Sequence, residues 1–118
     1  MGSYLAASHG SDYVAIGQLF HWGSYNAWSN GAKAWNATTS FPGTVEYVLH
    51  SAGLPQMIVD LRKASVDDPG SAWLLGSVQY RSIGAIPADG FMFSNRLARD
   101  YDALIFFDKS TPSNLLPF

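Results

Sequence analysis

A run of five apolar residues near the end of the chain, Ala103 to Phe107, most constrains what this sequence can fold into. The run lies between Asp102 and Asp108, so it is too short for a helix and has the length of a strand. Because none of its positions is polar, it predicts a strand that is buried on both faces. Such a strand belongs to a sheet that helices cover.

Other segments alternate between strand and helix patterns. Further strands are predicted at residues 13–20, at 57–59 and at 80–86, and Pro87 must end the last one or place it at a sheet edge. Helices are predicted at residues 1–9, at 45–52, for one turn at 71–75, and from a Ser94 cap to Arg99. Between residues 24 and 39, the dipeptide Asn30-Gly31 predicts a β-hairpin or an ordered loop.

These patterns predict one α/β domain over residues 1–118. Its sheet is mixed or mostly parallel, with about four to five strands, flanking helices and a hairpin excursion. The 118 residues, 47% of them hydrophobic, suffice for one core. No apolar run approaches the roughly 18 to 20 residues of a membrane span, and the first residues lack a signal-peptide pattern. A cytoplasmic protein without a membrane partner is therefore expected.

Charge and cysteine content exclude several kinds of site. Seven basic residues stand against nine acidic ones, and a net charge of -2 gives no basic patch for nucleic acid. Without cysteine there is no disulfide, thiolate nucleophile or cysteine-ligated zinc. The chain also lacks a nucleophile elbow, a phosphate loop, a dinucleotide fingerprint and a His-Glu-x-x-His helix. No metal, cofactor or catalytic residue is expected.

Polar residues at the predicted strand ends are the remaining candidates, because open α/β sheets bind ligands there. The candidate ligand-binding residues are His21, Trp22, Asp60 and Arg62. His21 could act as a general base or lie at an interface, and no acidic residue near it in sequence would orient it. Asp60 and Arg62 could pair with each other or grip a carboxylate, with Arg62 as the anchor of a small apolar or carboxylate-bearing ligand.

Four aromatic residues lie within fourteen positions: Trp22, Tyr25, Trp28 and Trp35. They could cover the core, cradle an apolar ligand, or form an interface between copies of the chain, and we expect a homo-oligomer. His9 and His50 lie on predicted helices, where a structural role is expected. Glu46, the single glutamate of the sequence, lies in the first turn of its helix, where a carboxylate favours the helix dipole.

Several segments, in this order and spacing, resemble the C-terminal region of the erythromycin esterase-like family. They are residues 1–5 (MGSYL), 12–17 (DYVAIG), 23–25 (GSY), 43–49 (GTVEYVL), 54–55 (LP), 60–62 (DLR), 81–84 (RSIG) and 101–110 (YDALIFFDKS). The resemblance implies kinship with larger α/β hydrolases, of which those acting on macrolides open the lactone ring by activating water. It also implies that Asp60, Arg62 and Arg81 are scaffold or pocket-wall positions.

The family's catalytic histidine and glutamate residues belong to a different part of its chain. None of His9, His21 and His50 matches a catalytic position of the family. The resemblance therefore implies an incomplete or non-catalytic domain that is inactive alone. The alternative is a small ligand-binding or oligomeric protein with a site at the strand ends or at the subunit interface.

Overall fold

A computed structural model of the chain describes residues 2–83, 86–87 and 90–117. In these ranges the helices and strands are α1 (Gly2–His9), β1 (Ile16–Trp28), β2 (Ala32–Ala37), α2 (Val45–His50), β3 (Gln56–Asp60), β4 (Val78–Ser82), β5 (Gly90–Ser94), α3 (Leu97–Asp100) and β6 (Ala103–Ser110). Short 3-10 turns occupy Gly10–Asp12, Leu61–Lys63 and Ala72–Leu75. No helix among the described residues is both long and apolar enough to cross a membrane.

The main sheet is mixed and has the strand order β2-β1-β6-β3. β1 and β6 run parallel, while β2 pairs with β1 and β3 pairs with β6 in antiparallel fashion. β4 and β5 form a second, two-stranded antiparallel sheet. The predicted α/β class is confirmed, and the apolar run that predicted β6 lies in the interior of the main sheet.

The main sheet packs its core against one face. Leu19 of β1 pairs with Phe106 of β6, and alternation places Leu104 on the same side. The other buried apolar residues of this core come from α2, α3, β4 and two of the 3-10 turns, and they are Val45, Leu49, Leu61, Leu74, Val78 and Leu97. This helix-covered face therefore holds the hydrophobic core of the domain.

The opposite face of the main sheet, here called the open face, carries exposed apolar side chains. The register places Ile16 and Trp22 of β1, Phe107 of β6 and Ile58 of β3 on this face, and all four are exposed. Ile58 is 75% exposed, whereas Phe106 on the covered face is 0% exposed. The prediction that β6 is buried on both faces is therefore wrong, because the described helices that contribute to the core pack on one side only.

The hairpin follows its turn signal. β1 continues eight residues beyond the predicted strand, and the chain reverses at Asn30 and Gly31, which have φ values of 50° and 108°. Both residue types tolerate positive φ, so the hairpin prediction is confirmed. Gly23 allows β1 to lie close to the end of β6, because a Cβ at this position would be only 2.1 Å from the backbone oxygen of Ser110. Its φ of 122° also favours glycine.

The local sequence signals were weaker between residues 78 and 100. β4 ends at Ser82, and Gly84 and Ala85 of the predicted strand lie outside the described residues. Ser94 ends β5 and does not cap α3, which begins at Leu97. Leu97 is nevertheless the core contact that its apolar character predicted. β5, which pairs with β4, was not predicted.

Candidate functional site

Two histidines lie against each other at the carboxyl end of the parallel strands. His21 lies in the middle of β1, near the end of its pairing with β6 and on the covered face, and His50 is the last residue of α2, which contacts β1 and β6. Their ring centroids are 3.8 Å apart and the ring planes differ by 14°, so the imidazoles stack. We call these two residues the histidine pair.

Each imidazole of the histidine pair has its own polar partner. His50 Nδ1 donates to Oδ1 of Asp108 at 2.5 Å. The register that pairs Phe20 with Phe107 also places His21 beside Asp108. His21 Nδ1 is hydrogen-bonded to Oγ of Ser40, a residue that is 4% exposed. The stack thus has a carboxylate at one side and a buried hydroxyl at the other.

Arg81 holds the backbone of the site together. Its Nη2 donates to the carbonyl oxygen of His21 at 3.3 Å and to that of Thr38 at 2.5 Å. The guanidinium lies over the rings of Phe20 and Phe91, at 4.4 Å and 4.7 Å from their centroids. Arg81 therefore brings a fixed positive charge close to the buried histidine.

These surroundings disfavour a proton on His21. Burial lowers the pKa of the His21 imidazole below its ordinary value, and His50 and Arg81 lower it further. The carboxylate of Asp108 acts in the opposite direction. The geometry therefore favours a neutral His21 at neutral pH.

Glu46 is the second buried titratable group next to this site. Thr44 caps α2, since its Oγ1 accepts from the backbone NH of Tyr47 at 3.3 Å, and this start turns Glu46 inward. Glu46 is 0% exposed, and its Oε1 accepts from the backbone NH of Arg81 at 2.6 Å. Burial raises the pKa of the Glu46 carboxyl, which the bond from Arg81 opposes. The position of Glu46 in the first helical turn predicted an interaction with the helix dipole. In the structure Glu46 also accepts a buried hydrogen bond from the backbone of β4.

A cleft of about 330 Å³ opens beside the histidine pair. Its walls are His50, Gly53, Leu54, Pro55 and Asp108. The cleft thus combines apolar walls with one imidazole and one carboxylate, both partly accessible to solvent. Among the described residues, no group of three or more His, Asp or Glu side chains is arranged to hold a metal ion.

The four predicted ligand-binding residues do not converge. β3 runs antiparallel to β6, so Asp60 pairs with Ala103, at the opposite end of the sheet from Asp108. Five residues of β6 separate the two levels, which is about 17 Å. Trp22 points to the open face, away from its neighbour His21. The expectation of one pocket formed by all four residues is therefore wrong, because the sequence did not reveal the direction of β3.

Asp60 and Arg62 form a pair of their own. Arg62 lies in the 3-10 turn after β3 rather than on the strand. Its Nε donates to Oδ1 of Asp60 at 2.9 Å, and its Nη2 donates to Oδ2 at 3.1 Å. Of the two alternatives predicted for these residues, pairing with each other or gripping a carboxylate, the structure shows the ion pair.

The predicted aromatic cluster is divided between two faces. Tyr25 and Trp35 are cross-strand partners in the hairpin, and both are half-buried. Trp28, three residues after Tyr25, points to the opposite side and is exposed. Trp22 lies under Nζ of Lys109, which is 4.7 Å from the ring centroid. The four residues therefore do not share one surface, and their role in an interface stays a prediction.

Sequence reasoning missed the partners of the histidines. The sequence marked Asp108 only as the end of an apolar run, and it predicted a structural role for His50 on its helix. The available signal was that His21 and Asp108 each follow an apolar strand, so a parallel pairing of these strands would place them together. The chain offered no local sign that those two strands pair.

Comparisons with known proteins agree on the family and the fold. The family model described as erythromycin esterase matches residues 1–110. A crystal structure of a protein from Bacillus cereus is similar over 98% of this chain and 29% of its own, with 23% identity and a TM-score of 0.77. A crystal structure of a succinoglycan biosynthesis protein is similar over 98% of this chain and 28% of its own, with 17% identity and a TM-score of 0.78. No curated protein matches the chain.

Proposed function

The chain belongs to the erythromycin esterase family, and from this premise we propose that it acts as one part of a larger hydrolase and does not hydrolyse esters by itself. The resemblance to the C-terminal region of the family suggests which part it is. In this proposal the unit supplies the β1–β6 sheet and its strand-end cleft. The remainder of such a hydrolase supplies the groups that activate water.

The lengths of the similar structures support this proposal. The chain spans less than a third of each of the two crystal structures it resembles, although almost all of its own length is matched. More than two thirds of those chains therefore has no counterpart in these residues.

The open face is the observation that carries the proposal. Its apolar side chains lie on three adjacent strands and include Ile58, which is 75% exposed. Contiguous exposed apolar surface marks an interaction site. The remaining part of a family hydrolase is the covering layer we propose for this face.

The strand-end site also supports inactivity of the isolated unit. Ser40 is hydrogen-bonded to His21 as a nucleophile would be, but at 4% exposure its hydroxyl cannot reach an ester in solution. His50 and Asp108 resemble the base and orienting group of a hydrolase. An acyl-transfer site also needs hydrogen-bond donors for the oxyanion beside that base, and in this proposal the rest of the hydrolase supplies them.

Catalysis is tested by incubating the purified chain with erythromycin and with a simple aryl ester. We expect no turnover above that of buffer. Turnover that is lost in His50→Gln but retained in the matched variant His9→Gln would overturn the proposal, because it would assign catalysis to this unit alone.

Embedding in a larger chain is tested with a chimera in which these residues replace the matched part of the Bacillus cereus relative. Ile58→Asp should leave the stability of the isolated chain nearly unchanged but strongly destabilise the chimera, where the open face is covered. Val66→Asp, at a site that is 76% exposed and outside the sheet, is the control. Equal effects of Ile58→Asp on the melting temperatures of both proteins would contradict the proposal.

A second copy of the chain is the alternative occupant of the open face. The exposed Trp22 and Trp28 favour this candidate, since aromatic residues are enriched at subunit interfaces. Sedimentation of the isolated chain at micromolar concentration tests it. A monomer would refute self-association and leave the proposed hydrolase partner in place.

A further inference from the structure

We propose that the histidine pair is a proton-operated clasp, which holds the end of α2 and residues 53–55 against β1 and β6 at neutral pH and releases them in mild acid. The clasp would control how far the cleft beside His50 opens. It is a property of this site alone and does not depend on the proposed role in a larger hydrolase.

The charged groups around the histidine pair can compensate the positive charge of one added proton only. His50 faces the Asp108 carboxylate on β6, which can balance one positive charge. His21 faces His50 and the edge of the Tyr47 ring on α2, Ser40 in the preceding loop, and the Arg81 cation on β4. Protonation of both imidazoles would therefore place two cations 3.8 Å apart, beside a third, with one carboxylate to share.

The other charged groups near the site do not relieve this repulsion. Glu46 lies at the opposite end of α2, and its Oε1 is occupied by the backbone of Arg81. Burial raises the pKa of the Glu46 carboxyl, so its charge is lost at a higher pH than that of an ordinary glutamate. Lys109 lies over Trp22, which points to the open face. Acid thus adds positive charge at the stack and removes negative charge near it.

The part of the chain that responds is the last turn of α2 with the loop after it. α2 has six residues, too few to persist without tertiary contacts. Val45 and Leu49 anchor its body in the core, while its final residue is held by the stack and by Asp108. The backbone NH of Asp108 also donates to the oxygen of Pro55 at 2.9 Å, so the loop and the strand share this attachment. When the two imidazoles no longer stack, the wall of the cleft at the end of α2 is the first part to detach from β1 and β6.

Hydrogen exchange of the full chain tests the clasp at about pH 7.5 and about pH 5.5, on either side of the ordinary histidine range. After correction for intrinsic rates, amides of residues 50–54 should exchange at least roughly tenfold faster at the lower pH, while those of Leu104 and Phe106 in β6 stay unchanged. His21→Phe keeps an aromatic ring in the stack and removes its proton, so it should abolish the response. His9→Phe, on the exposed helix α1, is the matched control and should retain it.

A titration of the unaltered protein decides the matter if His21→Phe does not fold. NMR of the His21 imidazole protons should show that its pKa lies below the ordinary histidine value, and His50→Phe, which removes the neighbouring imidazole, should raise it. A pKa of His21 that is the same in the unaltered protein and in His50→Phe would overturn the proposal. An unchanged response in His21→Phe would also overturn it, as would a response spread equally over α2 and β6.

Discussion

Replacing Gly23 with alanine should destabilise the domain more than any other exchange of a glycine for alanine in the hairpin. Two effects add at this position. Its φ of 122° disfavours a side chain, and a Cβ there would lie 2.1 Å from the oxygen and 2.8 Å from the nitrogen of Ser110, both of them backbone atoms that cannot turn away. β1 and β6 must therefore separate locally.

Gly31→Ala provides the reference, because Gly31 has a φ of 108° but no atom lies within 4 Å of the place that an alanine methyl would take there. Both substitutions carry the backbone cost of about 1–3 kcal/mol, which cancels in the comparison. Gly23→Ala additionally disturbs the pairings of Gly23 with Ala37 and with Ser110. At about 1 kcal/mol for each hydrogen bond lost, the extra destabilisation is about 2 kcal/mol.

Urea unfolding of the two variants measures this difference directly, and thermal melts should show it as roughly 8 °C, at about 4 °C for each kcal/mol. The same variant should weaken the bond between His50 and Asp108, since Asp108 lies two residues before Ser110. Equal losses of stability in the two variants would refute the steric argument and leave only the backbone term.

Two further substitutions test the buried groups. Glu46→Gln should remove one contribution to the pH dependence of stability: because the folded pKa of Glu46 is raised, this carboxyl lowers stability as the pH rises from the ordinary value of 4.5 towards the folded value, and in urea unfolding the variant should gain stability relative to the unaltered protein across that window. Leu97→Ala should lower the free energy of unfolding by about 2–5 kcal/mol, whereas Leu116→Ala, at an exposed position, should change it by less than about 0.5 kcal/mol in the same melts. A pH profile of Glu46→Gln parallel to that of the unaltered protein, or equal effects of the two leucine substitutions, would contradict the assignment of these side chains to the core.

The parts of the fold that the sequence predicted correctly rest on local signals. Asn30-Gly31 specifies its hairpin because both residues accept positive φ. The helix predicted at residues 45–52 is α2, which begins at Val45 and ends two residues earlier than predicted, at His50. The run from Ala103 to Phe107 is a strand because it is short and apolar. Each of these features depends on residues within one turn of each other.

The candidate site depends on contacts between distant segments, and this is why it was not predicted. His21 meets Asp108 through the pairing of two strands that are 87 positions apart in register, and His50 meets Asp108 across 58 positions. The apolar pattern of β3 is the same whether it runs parallel or antiparallel to β6, so its direction, and with it the location of Asp60, was not encoded locally. The one-sided burial of β6 was not predicted for the same reason, because the residues of a strand do not determine how many layers cover its sheet.

The parallel pairing of β1 and β6 also determines how the domain resists mechanical force. Tension applied to the segments before Ile16 and after Ser110 pulls the two strands past each other along their length, because Ile16 is level with Ala103 and Gly23 is level with Ser110. The hydrogen bonds between the strands are then loaded together in shear, and they cannot open one after another as in a zipper. If the chain is pulled through these two points, for example into a protease or through a narrow pore, separating this pair of strands should need more force than unfolding the flanking helices.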